Sequence, residues 1–344
     1  MKRVLVTGGC GFIGANFVRM LLRERLDWQV FNVDALTYAG NLANLAEVRD
    51  HPRYRFARTD VADRDALEAT VTHWELRADA IVHFAAESHV DRSIVGPVEF
   101  ARTNVMGTVA LLELARRWPG CRHVQVSTDE VYGSLSEDAP AFTESSPLNP
   151  SSPYAASKAA ADVLVQAYHK TYGLSAVITR CSNNYGPYQF PEKLIPLMVI
   201  HSLLGKTLPV YGSGRNVRDW LHVSDHCRGV LAALERGVAG EVYHFGGQSE
   251  RRNLEIVERI ADRVAGHRGL ITQVADRPGH DWRYAMDIGK SARELGWSPQ
   301  VELEDGLEAT IDWYLTHRGW WEEILSGDYL GHRPTQSIRP EQAP

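Results

Sequence analysis

Apolar and polar positions along the chain fall into two alternating rhythms. Short runs rich in β-branched and aromatic residues, Val4 to Thr7, Val30 to Asp34, Tyr54 to Ala57, Ala80 to Phe84, His123 to Ser127 and Ser175 to Arg180, are separated by longer stretches of helical period. Between the first two runs, Ile13, Phe17 and Leu21 recur every fourth residue, which lines them along one helix face. Strand, helix and strand in that order predict a βαβ unit. Its repetition predicts an α/β fold, a Rossmann-type doubly wound parallel sheet with helices on both faces.

After Arg180 the rhythm breaks into proline and glycine punctuation, Tyr185-Gly186-Pro187-Tyr188-Gln189-Phe190-Pro191 and then Tyr211-Gly212-Ser213-Gly214. Such stretches read as loops and short elements around a ligand. Residues 1–180 are therefore expected to form the sheet domain and 181–330 mainly a smaller C-terminal substrate-binding domain. The run Val242 to Gly246 is expected to return to the first sheet, so a strand near 241–247 belongs with the first domain. Helical period resumes over Asn253 to Val264 and Leu303 to Leu315, and the polar tail 331–344 is expected to be mobile.

Composition narrows the class without changing that picture. At 344 residues, 44% hydrophobic and 23% charged, the chain is ordinary for a soluble globular protein. A formal net charge of -6 offers no general attraction to nucleic acid or acidic lipid, and no run of about 18 apolar residues suggests a membrane span. Cys10, Cys121, Cys181 and Cys227 stand far apart with no Cys-x-x-Cys pair, which supports neither a metal site nor a disulfide framework and suits a reducing cytoplasm.

The candidate chemistry starts at the first strand. Thr7-Gly8-Gly9-Cys10-Gly11-Phe12-Ile13-Gly14 is a glycine-rich turn leading into a helix, where Gly8 shapes the turn, Gly11 admits a pyrophosphate and Gly14 lets helix and strand approach. The helix amino terminus then attracts phosphate. Asp34, ending the second strand about twenty residues on, suits the ribose hydroxyls of a dinucleotide and would repel a 2′-phosphate, so NAD is expected over NADP. Asp60 and Val61 are placed beside the adenine, and Ala85 and Ala86 leave room next to the cofactor.

Further along, Thr128-Asp129-Glu130 follows the fifth strand, and Tyr154 and Lys158 stand at i and i+4, on one face of a helix. An ammonium beside a phenol is expected to lower the phenol's pKa, so that Tyr154 can take a hydroxyl proton, with Thr128 hydrogen-bonded to the same hydroxyl. Two adjacent carboxyl groups add an acid/base pair that simple dehydrogenation does not need. Oxidation coupled to elimination is the expected reaction type.

These motifs, with Asp34-Ala35-Leu36-Thr37-Tyr38-Ala39-Gly40-Asn41, Glu87-Ser88-His89-Val90-Asp91-Arg92-Ser93, Asn183-Asn184-Tyr185-Gly186-Pro187, Phe190-Pro191-Glu192-Lys193-Leu194-Ile195-Pro196, Asn216-Val217-Arg218-Asp219-Trp220 and Asp276-Arg277-Pro278-Gly279-His280-Asp281, cover nearly the whole chain. Over that span the chain resembles the extended short-chain dehydrogenase/reductases and, among them, the dTDP-glucose 4,6-dehydratase family.

The resemblance implies oxidation of a sugar at C4, elimination of water across C5 and C6, and return of hydride to C6. It implies Asp129 as the acid and Glu130 as the base, with Thr128, Tyr154 and Lys158 completing the catalytic set. The cofactor set it implies is Gly8, Gly11, Phe12, Ile13, Gly14, Asp34, Leu36, Thr37, Asp60, Val61, Ala85, Ala86, Thr103, Tyr154, Lys158 and Asn184. For dTDP-glucose it implies Ser88, Thr128, Asn183, Lys193, Leu194, Pro209, Tyr211, Arg218, Asn253, Arg277 and His280. A homodimer through the helices after Pro97 and Pro153 is implied as well.

Two positions depart from the family pattern, Cys10 where Ala is frequent and Trp282 where a basic residue is common. Neither removes a catalytic group. A nucleotide-sugar 4-epimerase would share the fold, Tyr154 and Lys158 without requiring Asp129 and Glu130. A non-catalytic NAD sensor would need none of the five polar groups.

Overall fold

The structure is a computed structural model that describes residues 2–276 and 279–330; Arg277 and the tail 331–344 lie outside the described residues. In chain order the strands are β1 (Arg3–Thr7), β2 (Gln29–Asp34), β3 (Tyr54–Arg58), β4 (Ala80–His83), β5 (Arg122–Thr128), β6 (Ser175–Cys181), β7 (Asn183–Tyr185), β8 (Leu208–Tyr211), β9 (Val217–His222), β10 (Val242–Phe245), β11 (Glu250–Arg252) and β12 (Ile271–Val274). Seven of them form one sheet in the spatial order β10-β6-β5-β4-β1-β2-β3, every neighbouring pair parallel.

Alternation along each strand sends side chains to both faces, and both are covered. Val4, Val6, Val30 and Val124 pack on one side with Phe17 and Leu21 of the helix Phe12–Glu24 and with Val230 and Leu231 of the helix Val223–Arg236. Leu5, Val33 and Ile81 point to the other side, against Leu67, Leu111, Leu112 and Val165 from three further helices, Arg64–His73, Gly107–Arg116 and Pro153–Tyr172. The predicted four-residue repeat holds: Phe17 and Leu21 are fully buried and Ile13 packs at the edge of the same core.

Sheet order reverses between β1 and β4, the switch point where ligands bind at the carboxyl ends of parallel strands. Beyond β6 the chain builds a second core around Tyr185, Met198, Ile256, Ile311 and Trp321. Its own sheets are small: β11-β9-β7, with β7 parallel and β11 antiparallel to β9, and the parallel pair β12-β8. Between them β10 leaves this region and pairs with β6, so the two parts of the chain are interleaved. The helical stretch from Asn253 is α-helical over Asn253–Ile260 and widens into a π turn over Ala261–Ala265.

Candidate active site

A cleft of about 360 Å³ runs along the carboxyl ends of the strands. Its floor begins at the glycine turn. Gly8 sits in the left-handed region at φ 70, where a side chain would also meet the Ala85 backbone nitrogen at 2.6 Å. At Gly14 an added Cβ would stand 2.2 Å from the Gly8 carbonyl oxygen, so only glycine lets the helix begin this close to the turn. Asn32, which the sequence did not single out, supports the turn from beneath: its Oδ1 accepts from Gly9 N–H at 3.1 Å.

The helix Phe12–Glu24 starts at Gly11 with no side-chain cap and no acidic residue in its first turn. Its leading N–H groups are thus available to an anion. Asp34 is oriented by two backbone donors, Cys10 N–H and Leu36 N–H, each at 2.8 Å. That second bond holds Leu36 in the left-handed region at φ 55. The Leu36 side chain is 1% exposed, packs in the first core and does not line the cleft. Asp60 accepts from Ala62 N–H at 2.9 Å and pairs with Arg102 at 2.7 Å. Glycine turn, uncapped helix start and oriented carboxylate together fit a dinucleotide.

The cleft brings together Gly8, Gly11, Phe12, Ile13, Gly14, Asp34, Thr37, Asp60, Val61, Ala85, Ala86, Thr103 and Asn184 with Thr128, Asp129, Glu130, Tyr154 and Lys158. Thr128 ends β5 and caps the short 3-10 turn Asp129–Tyr132, accepting from Glu130 N–H at 3.2 Å and donating to Asp129 Oδ1 at 3.2 Å. Tyr154 lies in the first turn of the helix Pro153–Tyr172, whose start is fixed by Pro153 and by Ser152 Oγ accepting from Ala155 N–H at 3.1 Å.

The two carboxyls are unlike. Asp129 is 2% exposed, and burial, then the neighbouring Glu130 charge, push its carboxyl well above the ordinary range despite Arg218 and the Thr128 bond. Asp129 Oδ2 has no hydrogen-bond partner among the described residues. A protonated acid beside a second carboxyl is what general-acid work requires.

Tyr154 departs from expectation. Burial, followed by the charge of Glu130, pushes the phenol up, not down. The Lys158 ammonium is lowered by its own burial, and its Nζ donates to the Val126 carbonyl at 2.6 Å. Desolvation disfavours each group's charged form, and it is the largest cause of both shifts.

Among the expected substrate residues, Ser88, Asn183 and Lys193 line the cleft, and Lys193 Nζ donates to the Ser88 carbonyl at 3.2 Å. Leu194, Pro209, Tyr211, Arg218, Asn253 and His280 do not line it, and Arg277 lies outside the described residues. Arg218 is buried over the Tyr284 ring at 4.5 Å and donates to the Asp281 carbonyl at 3.0 Å. Tyr211 meets the His280 ring edge-on at 6.3 Å, and Asn253 Oδ1 is buried without a hydrogen-bond partner among the described residues. Sequence reasoning missed Tyr38, Glu87, Arg102, Ser182, Gln189, Phe190 and Glu192, all of which line the cleft. Each lies within a few residues of an assigned position, which is the signal that was available.

The family described as GDP-mannose 4,6 dehydratase matches residues 5–310. A dTDP-glucose 4,6-dehydratase of Streptomyces niveus is 52% identical over 98% of this chain and 100% of its own. The solved dTDP-glucose 4,6-dehydratase of Streptomyces venezuelae, with NAD and TYD bound, is 54% identical, covers 94% of this chain and 99% of its own, and superposes with a TM-score of 0.89. A UDP-glucose 4-epimerase of Thermotoga maritima shares the fold at a TM-score of 0.84 but only 28% identity, over 91% of this chain and 99% of its own. The chain belongs to the GDP-mannose 4,6 dehydratase family and, within it, to the dTDP-glucose 4,6-dehydratases.

Proposed function

We propose that the protein is an NAD-dependent hydro-lyase that converts dTDP-glucose to dTDP-4-keto-6-deoxyglucose. The observation that carries this reading is the buried Asp129 carboxyl, pushed well above the ordinary carboxyl range by burial and by Glu130, in one cleft with Thr128, Tyr154 and Lys158. The residues from Gly8 to Gly14 hold the pyrophosphate and Asp34 the adenosine ribose, and bound NAD supplies a hydride acceptor for C4 and the same hydride for C6.

Tyr154 takes the C4 hydroxyl proton, positioned by Thr128 and Lys158. The resulting C4 ketone acidifies C5, whose proton Glu130 removes. Asp129 donates its proton to the departing C6 hydroxyl and water leaves. Glu130 returns its proton to C5 when C6 is reduced, and the proton held by Tyr154 balances the one spent by Asp129. Ser88, Asn183 and Lys193 contact the sugar and phosphates from the cleft wall, and Arg218, whose fork suits two phosphate oxygens, acts with Asn253, Tyr211 and His280 on the nucleotide end.

A homodimer and a cytoplasmic setting complete the proposal. Val95 (87% exposed), Val98 (73% exposed) and Met106 are exposed on segments that pack against the helix Pro153–Tyr172, which itself exposes Val163 and Tyr172, apolar positions that a second copy would cover. No helix among the described residues is long and apolar enough to cross a membrane, and all four cysteines are unbridged and buried. The deciding experiment is incubation of purified protein with dTDP-glucose and mass spectrometry of the product. Loss of one water with appearance of a 4-keto sugar supports the reading; an unchanged mass with a new hexose makes it an epimerase; no product leaves only cofactor binding.

A further inference from the structure

Behind the reacting cleft lies a second polar cluster that the elimination chemistry does not use. Asp162 stands one turn beyond Lys158 on the helix Pro153–Tyr172 and is completely buried. Its Oδ2 accepts from Ser127 Oγ at 3.0 Å and from Arg180 Nε at 2.9 Å. Arg180, equally deep, lies over the Tyr132 ring at 4.8 Å and donates from Nη1 to the Tyr132 hydroxyl at 2.5 Å. That hydroxyl also pairs with His244 Nε2 at 2.6 Å. Asp162 Oδ1 has no hydrogen-bond partner among the described residues.

An ion pair buried this deeply loses in desolvation about what it gains in attraction, so stability is a weak reason for its presence. Its location supplies a better one. Lys158 bonds to the carbonyl of Val126, and Asp162 is anchored by Ser127, the next residue of β5. Successive turns of the helix are thereby fastened to successive residues of the strand that ends in Thr128. The titratable groups coupled to Lys158 are His83 on β4, Cys181 on β6 and, from its own helix face, Asp162. Burial pushes the His83 imidazole down and the Cys181 thiol up, each toward its neutral form. Of the groups that oppose the burial penalty on the Lys158 ammonium, Asp162 acts most strongly, ahead of Cys181.

We propose that Asp162, held by Ser127 and Arg180, is a positioning residue of the reaction that keeps Lys158 cationic and fixed to β5 beside Tyr154. This rests on the reading of Tyr154 and Lys158 as the proton-transfer pair.

The test uses the full chain with cofactor bound and compares Asp162→Asn with Asp162→Glu and with His244→Gln at the outer end of the cluster. In Asp162→Asn, Lys158 loses its charge at lower pH, so the alkaline limb of kcat for dehydration moves down by about 1 to 2 pH units. Asp162→Glu, which keeps the charge but displaces it, moves the limb less in the same direction. His244→Gln lowers the melting temperature and leaves the limb in place. Titration of the Lys158 side-chain nitrogen by NMR of lysine-labelled protein, assigned with Lys158→Met, reads the same shift without turnover. Lowered melting temperature with both the limb and the Lys158 titration unmoved overturns the proposal and makes the cluster structural. If Asp162→Asn does not fold, Asp162→Glu carries both readouts. A wild-type chain that releases no water from dTDP-glucose overturns the functional reading alone, because the NMR titration still decides the role of Asp162.

Discussion

Replacing Gly14 with alanine tests the geometry of the cofactor end directly. The new Cβ would lie 2.2 Å from the Gly8 carbonyl oxygen, 2.8 Å from the Gly9 Cα and 2.9 Å from the Gly8 carbonyl carbon, all of them backbone. Reaching even a 3.0 Å contact moves the turn and the helix start apart by about 0.8 Å at the closest point, and no flexible side chain can yield instead. Alanine regains about 1 kcal/mol of helix propensity, whereas forced overpacking of this kind costs roughly 1–3 kcal/mol or more. The fold therefore loses up to about 2 kcal/mol, which lowers the melting temperature by up to a few degrees. A misplacement approaching 1 Å is enough to weaken action at a pre-organised site about 100-fold. Gly11→Ala is the internal comparison, since its Cβ meets only the Gly8 carbonyl oxygen, at 3.3 Å. It should melt near wild type yet retain little NAD, because its methyl occupies the path of the pyrophosphate. Melting curves and the NAD content of purified protein read both effects. Gly14→Ala protein with wild-type melting temperature and full NAD content would refute the close-approach argument.

Asp129→Asn should slow water loss about 100-fold or more while C4 oxidation survives, read by single-turnover kinetics. The same substitution should stabilise the fold near neutral pH. Asp129 has its folded value raised, so its contribution is fully present below the unfolded value of about 4 and is lost as pH rises through the folded value. The melting-temperature advantage of Asp129→Asn should accordingly grow from about pH 4 upward. Asp34→Asn leaves one of the Cys10 and Leu36 N–H donors facing an amide, which should cost about 1–3 kcal/mol and weaken NAD binding in a calorimetric titration. Val98→Glu should shift the sedimentation coefficient from dimer to monomer with the secondary structure unchanged.

The sheet was legible because a strand buried on both faces writes itself as a short run rich in apolar and β-branched residues. Val30 to Asp34 and Ser175 to Arg180 each fall within one residue of the observed strand at both ends. The glycine turn and Asp34 could be read because local backbone geometry dictates their residue types. That Leu36 buries its side chain in the core was not legible, because sequence proximity to Asp34 says nothing about which way a side chain turns at φ 55. The direction of the Tyr154 and Lys158 shifts was also hidden. A four-residue spacing puts two groups on one face but does not disclose how deeply that face is buried, and depth decides the sign. Pairings such as β7 with β9 and Arg180 with Asp162 join strands and helices across many residues, and nothing local marks them.

The late arrival of β10 has a consequence for synthesis. Until Val242–Phe245 emerges from the ribosome, the outer side of β6 is a bare row of hydrogen-bonding groups. A nascent chain stopped near Cys181 carries nearly all the groups assigned to the nicotinamide side of the cleft yet presents a sticky border to its neighbours. Truncation at that apparent domain boundary should yield inclusion bodies, and the choice of where to cut an expression clone is thereby constrained to lie beyond the strand that closes the sheet.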